Sequence, residues 1–357
     1  PKKVNVIEIN KKFIYGNVPN NLEEVKNLKI NNINIGLGPV SSYVTYFRDI
    51  SLNLSNKKFK ILKKLVDTSY SVYKKLLTID CANYDKVVVF NGRFAESRVI
   101  LEYAKSKNLQ YETIEFDTLY GLNDIRLLSF KNRLPHSKDA FKERFFKSQS
   151  EIDLPGDNYF QKRLKGIYMG GDAAVTKDGS FQSGYKDDII SKDFITKIKA
   201  SNLPVLTYYM SSQDEVFSLG DEWNDTKIFE DQLSSIQWLI DYLKSKQNFI
   251  LVIKAHPCMK GLNFPYVCRD IEKTEISNLY YLSPESSISS YKLLELTDLC
   301  VGFSSSILVE AVYQKKPAIL VGDTFFNDLG ICEEPNSIEK LIELLNLSKI
   351  DNTNFSG

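Results

Sequence analysis

The chain has 357 residues, more than one hydrophobic core usually holds, so two domains are predicted. Its 46 basic and 45 acidic side chains give a net charge of +1, which excludes both the basic excess of a nucleic-acid-binding protein and a solvating acidic tail. The hydrophobic share of 43% is typical of a globular protein, and no apolar segment approaches the roughly 20 residues of a membrane span.

The sequence lacks the short motifs that would indicate secretion or a metal site. The five cysteines are widely spaced without a CxxC pair, so we expect reduced thiols in a cytoplasmic protein. The first residues begin like a strand and lack the apolar stretch of a signal peptide. Without HExxH, DxD or a Cys/His cluster, metal-independent chemistry is the expectation.

The first half contains a less regular series of predicted elements. Strands are predicted at Val4–Ile9, Ile33–Leu37, Lys86–Asn91 and Tyr111–Phe116, and helices at Phe59–Leu77 and Glu96–Lys107. The continuous apolar run of Lys86–Asn91 predicts a buried parallel strand. We interpret Asn123–Asp172 as helices and loops, and Gly170–Tyr185 as a loop near the domain boundary.

In the second half, β-rich runs alternate with amphipathic helical patterns. Strands are predicted at Val205–Met210, Phe249–Lys254, Leu279–Leu282, Leu299–Phe303 and Ala318–Val321, and helices at Asp231–Lys246, Tyr266–Lys273, Ser290–Thr297, Ser305–Gln314 and Ser337–Leu345. Strict alternation with short links indicates a parallel, doubly wound sheet. We therefore predict an α/β protein with two Rossmann-like domains, residues 1–195 and 196–357, whose last helix could pack back on the first domain.

Polar groups follow every predicted strand of the second half. The strand-end residues are Ser211, Ser212, Asp214, Lys254, His256, Pro257, Ser283, Ser304, Ser305, Ser306 and Asp323. Since ligands of open parallel sheets bind beyond the carboxyl ends of the strands, these residues predict a crevice for phosphate, ribose or base.

Three features of the second half have specific predicted roles. Ser304–Ser306 leads from a strand into a helix, which suits phosphate, although one serine would alternatively cap the helix. Glu310, one turn further, suits the two ribose hydroxyls, and its alternative is a solvated helix acid. His256 suits donation to a phosphate or departing oxygen, and its alternative is a structural role before Pro257.

Polar strand ends are also predicted in the first half. Asn91 and Arg93 follow one strand, and Arg93 suits an anionic sugar or phosphate. Glu115 or Asp117 suits a base or nucleophile, although Arg93 and a glutamate could instead form an interdomain salt bridge. His136 lacks such a setting, and we interpret it as a surface residue.

Several motifs together resemble the bacterial capsule-polysaccharide biosynthesis proteins, which include the retaining Kdo transferases of capsule and O-antigen assembly. The motifs are Phe90–Arg98, Ser211–Glu215, Lys254–Pro257, Ser289–Asp298 and Gly302–Ala311. His-Pro followed by serines also resembles bacterial sialyltransferases, where these residues hold the phosphate of a CMP-sugar. The segment from Glu310 to Pro317 is similar to the GT-B segment whose acid holds the nucleotide ribose, except that Lys315 and Lys316 replace a small residue and Gly.

The resemblance implies a GT-B fold, in which two Rossmann-like domains face a cleft, and an activity in sugar transfer. The nucleotide-binding residues would be Ser211, Ser212, Lys254, His256, Pro257, Ser283, Ser304, Ser305, Ser306 and Glu310. The acceptor would lie at Asn91, Arg93 and Asp117, and catalysis would fall to His256, Glu115 and Asp214. No metal or cofactor is implied, since the nucleotide-sugar is a co-substrate.

The implied reaction moves a sugar, with a CMP-linked acidic sugar such as Kdo favoured, to a hydroxyl of a capsule, lipopolysaccharide O-antigen or glycolipid acceptor. A lipid-linked acceptor would bring the protein to the inner face of the cytoplasmic membrane. Three alternatives remain open: a CDP-glycerol-type glycerophosphotransferase, a nucleotide-sugar 2-epimerase and a non-catalytic partner in polysaccharide assembly. Transfer of glycerol phosphate would identify the first alternative, and conversion of a nucleotide-sugar without an acceptor would identify the second. Absence of nucleotide binding would identify the third.

Overall fold

A computed structural model describes residues 12–50, 54–80, 84–117, 126–148, 160, 189–212, 217–220, 223, 227–259 and 276–346. The chain divides into two compact units: the first comprises Pro1–Asp117, Arg126–Ala140 and Gln213–Glu222, and the second comprises Thr118–Ile125, Phe141–Ser212 and Trp223–Gly357. The predicted strand Val4–Ile9, helix Tyr266–Lys273 and loop Gly170–Tyr185 lie outside the described residues.

The described residues form helices and strands in the following order. They are α1 (Leu22–Lys26), β1 (Lys29–Ile30), β2 (Ile33–Asn34), α2 (Leu37–Phe47), α3 (Asn56–Leu76), β3 (Lys86–Phe90), α4 (Ala95–Ser106), β4 (Gln110–Asp117), β5 (Arg126–Lys131), α5 (Lys138–Ser148), α6 (Ile189–Ala200), β6 (Val205–Tyr209), α7 (Gln232–Lys246), β7 (Ile250–Lys254), β8 (Leu279–Leu282), α8 (Ser290–Leu296), β9 (Leu299–Gly302), α9 (Ile307–Tyr313), β10 (Ala318–Leu320) and α10 (Ile338–Asn346). None of the helices in these ranges has the length and apolarity needed to cross a membrane.

The first unit contains a three-stranded sheet in the order β3-β4-β5, with β3 parallel and β5 antiparallel to β4. The prediction of a buried strand at Lys86–Asn91 is wrong in its burial. Val89 is buried on the face that α4 covers, whereas Val88 and Phe90, on the opposite face, are 51% and 47% exposed. The apolar run of β3 therefore does not mean that both faces of the strand are buried.

Two further predictions for this unit need correction. The strand predicted at Ile33–Leu37 ends at Asn34, because the Asn34 side chain accepts hydrogen bonds from the backbone N–H groups of Gly36 and Leu37 and so turns the chain into α2. The segment Asn123–Asp172, interpreted as helices and loops, contains strand β5. Antiparallel pairing with β4, the preceding strand, creates β5.

The second unit is a doubly wound α/β structure. Its five strands are all parallel, in the order β10-β9-β6-β7-β8. Leu206 and Tyr208 pack with α7 and α10 on one face, whereas Val205 and Tyr209 pack with α6, α8 and α9 on the other. The predicted α/β fold class, with two Rossmann-like units, is confirmed.

The strand order of the second unit reverses between β6 and β9. From β6 the chain adds β7 and β8 on one side, and it then returns to add β9 and β10 on the other side. Connections after β6 and β9 therefore leave in opposite directions at the carboxyl edge. Such a switch point opens a crevice in which doubly wound folds bind ligands.

Candidate functional site

The loops that follow β6 and β9 meet at the switch point. The Oγ atoms of Ser211 and Ser304 lie 2.7 Å apart, within hydrogen-bonding distance. Ser211 is 5% exposed, whereas Ser304 is half-buried, so the contact lies at the edge of the buried interior. The structure thus brings together two residues that are 93 positions apart in sequence and were both predicted from their strand-end positions.

A cavity of about 50 Å³ adjoins this contact. It is lined by Tyr209, Met210, Lys254, Ala255, His256, Pro257, Ser290, Tyr291, Ser305, Ser306, Ile307 and Glu310. This small volume suits a few polar atoms, such as part of a phosphate, and the rest of a nucleotide would lie outside it. His256, from the end of β7, therefore shares one cavity with Ser305 and Glu310, which both come from the start of α9.

Lys254 contributes an ammonium group to the cavity wall. It is the last residue of β7 and is 4% exposed. Burial lowers the pKa of Lys254 to about 8, because the ammonium lacks water, and the charge of Glu285 opposes part of this shift. Among the described residues, none forms a hydrogen bond with its Nζ atom, so this group is available to an anion.

The start of α9 supplies the serines and the carboxylate. Ser306 is the N-cap residue, but its side chain makes no capping hydrogen bond, so capping does not account for its hydroxyl. Ser305 is 7% exposed and Glu310 is 5% exposed. This burial is the opposite of what a solvated helix acid would show.

His256 lies where β7 ends and a short 3₁₀ turn, Pro257–Met259, begins. The backbone N–H of Met259 donates to the His256 carbonyl at 3.0 Å, which fixes the turn. The histidine therefore has both the predicted structural setting before Pro257 and a side chain at the cavity.

The remaining predicted residues of this unit lie elsewhere. Ser212 is 2% exposed and does not line the cavity. Ser283 belongs to the turn after β8, where its carbonyl accepts a hydrogen bond from Ser286, and it too is not a lining residue. Asp214 lies outside the described residues.

In the first unit, polar side chains gather at the carboxyl ends of β3 and β4. The Asn91 amide nitrogen donates to Glu115 Oε2 and lies 3.4 Å from His136 Nε2, while Asn91 Oδ1 accepts from the Arg93 backbone. Arg93 Nε donates to Ser41 Oγ at 2.7 Å. Asp117 ends β4, but its side chain lies outside the described part of the structure.

His136 is half-buried, so its interpretation as a surface residue needs correction. Burial, with the nearby charge of Arg93, lowers the pKa of His136 to about 4. The residue reaches Asn91 because the chain after β5 folds back over the sheet, where Thr113 Oγ1 donates to the Arg133 carbonyl at 2.7 Å. A histidine in an irregular segment gives no local signal of this path.

Among the lining residues that were not predicted, Ser290 and Tyr291 belong to a motif that was noted. Ser290 and Tyr291 open α8 and face the cavity. Their signal was available in the segment Ser289–Asp298. Within the described ranges, no three His, Cys, Asp or Glu side chains are grouped closely enough to hold a metal ion.

Comparison with known proteins gives low similarity. No family model and no curated protein matches the chain. Similar solved structures include a beta Kdo 2,4 transferase, KpsC of Thermosulfurimonas dismutans (13% identity, 73% of this chain and 76% of that chain, TM-score 0.37). They also include the UDP-GlcNAc 2-epimerase of Neisseria meningitidis (14%, 89% and 82%, TM-score 0.40) and the wall teichoic acid polymerase TagF (12%, 46% and 41%, TM-score 0.30).

The Kdo transferase is of the kind that the sequence motifs resemble. All three of these TM-scores are below 0.5.

Proposed function

We propose that the second unit binds a nucleotide-sugar at the switch point between β6 and β9, and that the protein is a glycosyltransferase. The observation that carries this proposal is the cavity shared by Lys254, His256, Ser305, Ser306 and Glu310 beside that switch point. A cation, hydroxyls, an imidazole and a carboxylate are the groups that recognise the phosphate and ribose of a nucleotide.

The phosphate would bind between Lys254 and the two serines. An ammonium held at the wall of a water-poor cavity forms strong charge-assisted hydrogen bonds with an anion. Phosphate would also offset the unfavourable burial of the Lys254 ammonium, because the opposite charges would neutralise each other inside the site. Ser305 and Ser306 would add hydroxyl donors at the start of α9.

Glu310 and His256 would divide the other tasks. The buried Glu310 carboxylate would accept both hydroxyls of the ribose. His256 would donate a hydrogen bond or a proton to the phosphate oxygen that leaves the sugar, which lowers the barrier as negative charge develops there. Ser211, Ser212, Pro257, Ser283 and Ser304 would complete the surroundings of the nucleotide.

The first unit would bind the acceptor through Asn91, Arg93 and Asp117. Glu115 or Asp214 would remove the proton of the acceptor hydroxyl or form a covalent intermediate. We favour a CMP-linked acidic sugar such as Kdo as donor and a hydroxyl of a capsule, lipopolysaccharide or glycolipid as acceptor. Such an acceptor would place the protein in the cytoplasm at the inner face of the membrane.

Thermal unfolding with CMP, CDP, UDP and GDP tests nucleotide binding. A ligand present at a hundred times its Kd stabilises the native state by about 2.7 kcal/mol, which corresponds to a Tm increase of about 5–10 °C for a unit of this size. Ser305→Ala and Glu310→Gln should each reduce the increase. If none of the four nucleotides raises Tm, the proposal is wrong and a non-catalytic role becomes the better account.

Turnover assays test the transfer step. His256→Ala should lower turnover by about two orders of magnitude or more while folding is retained. Wild-type turnover in this variant would remove His256 from the mechanism. Transfer of glycerol phosphate, or conversion of a nucleotide-sugar without acceptor, would contradict sugar transfer even if nucleotide binds.

A further inference from the structure

Gln232, the first residue of α7, holds Ser211 by three hydrogen bonds. Gln232 Oε1 accepts from the backbone N–H of Ser211 at 2.7 Å and from its Oγ at 3.0 Å, and Gln232 Nε2 donates to the Ser211 carbonyl at 3.2 Å. Gln232 is 1% exposed, so water does not replace these partners. One side-chain amide therefore fixes both the backbone and the hydroxyl at the end of β6.

The same hydroxyl connects Gln232 to the loop after β9. Ser211 Oγ lies 2.7 Å from Ser304 Oγ, and Ser304 directly precedes the serines of the cavity. Gln232, Ser211 and Ser304 thus form a continuous hydrogen-bonded chain across the switch point. These hydrogen bonds connect α7 to the loop after β9, which would contact the phosphate.

The hydroxyl protons allow two arrangements of the hydrogen bonds among Gln232, Ser211 and Ser304. Each serine hydroxyl carries one proton. When Ser211 donates to Gln232 Oε1, the Ser304 proton must point toward Ser211, and only lone pairs of Ser304 face outward. When Ser211 donates to Ser304, the Ser304 proton is free to face an anion.

Gln232 makes the second arrangement accessible. Its Oε1 atom still accepts the Ser211 backbone N–H at 2.7 Å after the hydroxyl has turned away, so no buried acceptor is left unsatisfied. The number of hydroxyl hydrogen bonds also stays the same, because the bond to Gln232 is replaced by one from Ser304 to the anion. That new bond is charge-assisted and therefore stronger.

We propose that Gln232 is a positioning residue of the nucleotide site: it fixes the Ser211–Ser304 pair so that the Ser304 hydroxyl turns outward as a donor when phosphate binds. This inference rests on the proposed nucleotide binding. It adds to that proposal a residue that contacts the ligand only through Ser211 and Ser304.

A double-mutant cycle tests the inference. Gln232→Met keeps the approximate volume and removes all three hydrogen bonds, and Ser304→Ala removes the final donor. With whichever of CMP, CDP, UDP and GDP stabilises the wild type most, calorimetry should show about 5- to 30-fold weaker binding for each single variant. The double variant should bind about as weakly as the weaker single variant, because both changes remove the same donor.

Thr207→Val is the matched control for lost stability. The Thr207 hydroxyl on β6 lies 2.6 Å from the Thr297 hydroxyl at the end of α8, and this buried contact does not include Gln232, Ser211 or Ser304. This variant should lower the urea midpoint, as Gln232→Met does, without weakening nucleotide binding. Loss of nucleotide binding in the control would show that lower stability alone weakens the site, and would overturn the inference.

The outcomes separate this inference from the proposed function. If the wild type binds a nucleotide but the losses from Gln232→Met and Ser304→Ala multiply in the double variant, Gln232 acts only on stability and the inference is wrong. If the wild type binds none of the four nucleotides, both the proposed function and this inference are wrong.

Discussion

Replacing Lys254 by methionine should stabilise the ligand-free protein while weakening its binding of nucleotide. Burial lowers the pKa of Lys254 from 10.5 to about 8. At about 1.4 kcal/mol for each factor of ten, burying the ammonium at pH 7 costs about 3 kcal/mol. Methionine keeps an unbranched apolar side chain of similar length and carries no charge. Lys254→Met should therefore raise the free energy of unfolding by up to about 3 kcal/mol.

The stability difference between Lys254→Met and the wild type should depend on pH. Because the pKa is lower in the folded than in the unfolded chain, the unfolded chain binds more protons between about pH 8 and 10.5. The destabilisation caused by burying the Lys254 ammonium is greatest below about pH 8 and declines as pH rises toward 10.5. Urea unfolding should show the advantage of Lys254→Met falling from about 3 kcal/mol at pH 7 to about 1 kcal/mol at pH 9.5.

Lys316→Met provides the contrast. Lys316 Nζ donates to the Thr297 carbonyl at 2.9 Å, so losing this lysine should reduce stability by about 1 kcal/mol. In parallel, Lys254→Met should weaken nucleotide binding by about tenfold or more, since a charge-assisted contact is lost. A Lys254→Met variant less stable than the wild type at pH 7, or an advantage that does not change with pH, would refute this reasoning.

Three further predictions follow from single positions. Nucleotide affinity should fall about tenfold per pH unit above about pH 8 as the Lys254 ammonium is lost, and Lys254→Arg should remove this dependence; a flat wild-type titration would contradict it. Gly38→Ala should destabilise the protein by about 1–3 kcal/mol in urea, because the new Cβ would lie 2.7 Å from the Phe94 carbonyl oxygen, whereas Gly16→Ala, with no atom within 4 Å, should be neutral. His136 should titrate near pH 4 in imidazole NMR spectra, so stability should fall as pH drops from about 6.5 toward 4; a titration near 6.5 would show that the ring is not buried.

The strands of the second unit could be predicted almost to the residue. β8 was predicted with both ends correct, and the predicted ends of β6, β7, β9 and β10 lie within a residue of those observed. These strands are short runs of buried apolar residues between polar strand ends, and local sequence carries that pattern. The strand-end rule then gathered His256, Ser305 and Glu310 at one cavity.

Features that depend on contacts between two segments could not be predicted. Strand β5 exists through its pairing with β4, and the exposure of Val88 depends on which face of the sheet the helix α4 covers. Likewise, Gln232 is an ordinary residue for the start of a helix until the fold brings Ser211 against it. Sequence periodicity depends on one segment at a time. The pairing of β5, the exposure of Val88 and the contact of Gln232 with Ser211 each depend on two segments.

The most direct measurement of the central claim uses the fact that the chain has only two histidines. Imidazole NMR signals, assigned with His256→Gln and His136→Gln, can be followed while the best-binding of the four nucleotides is added. The His256 signal should shift in a saturable way, and Ser305→Ala should weaken the response. A saturable nucleotide interaction that leaves the His256 signal unmoved would contradict a phosphate site between β7 and α9.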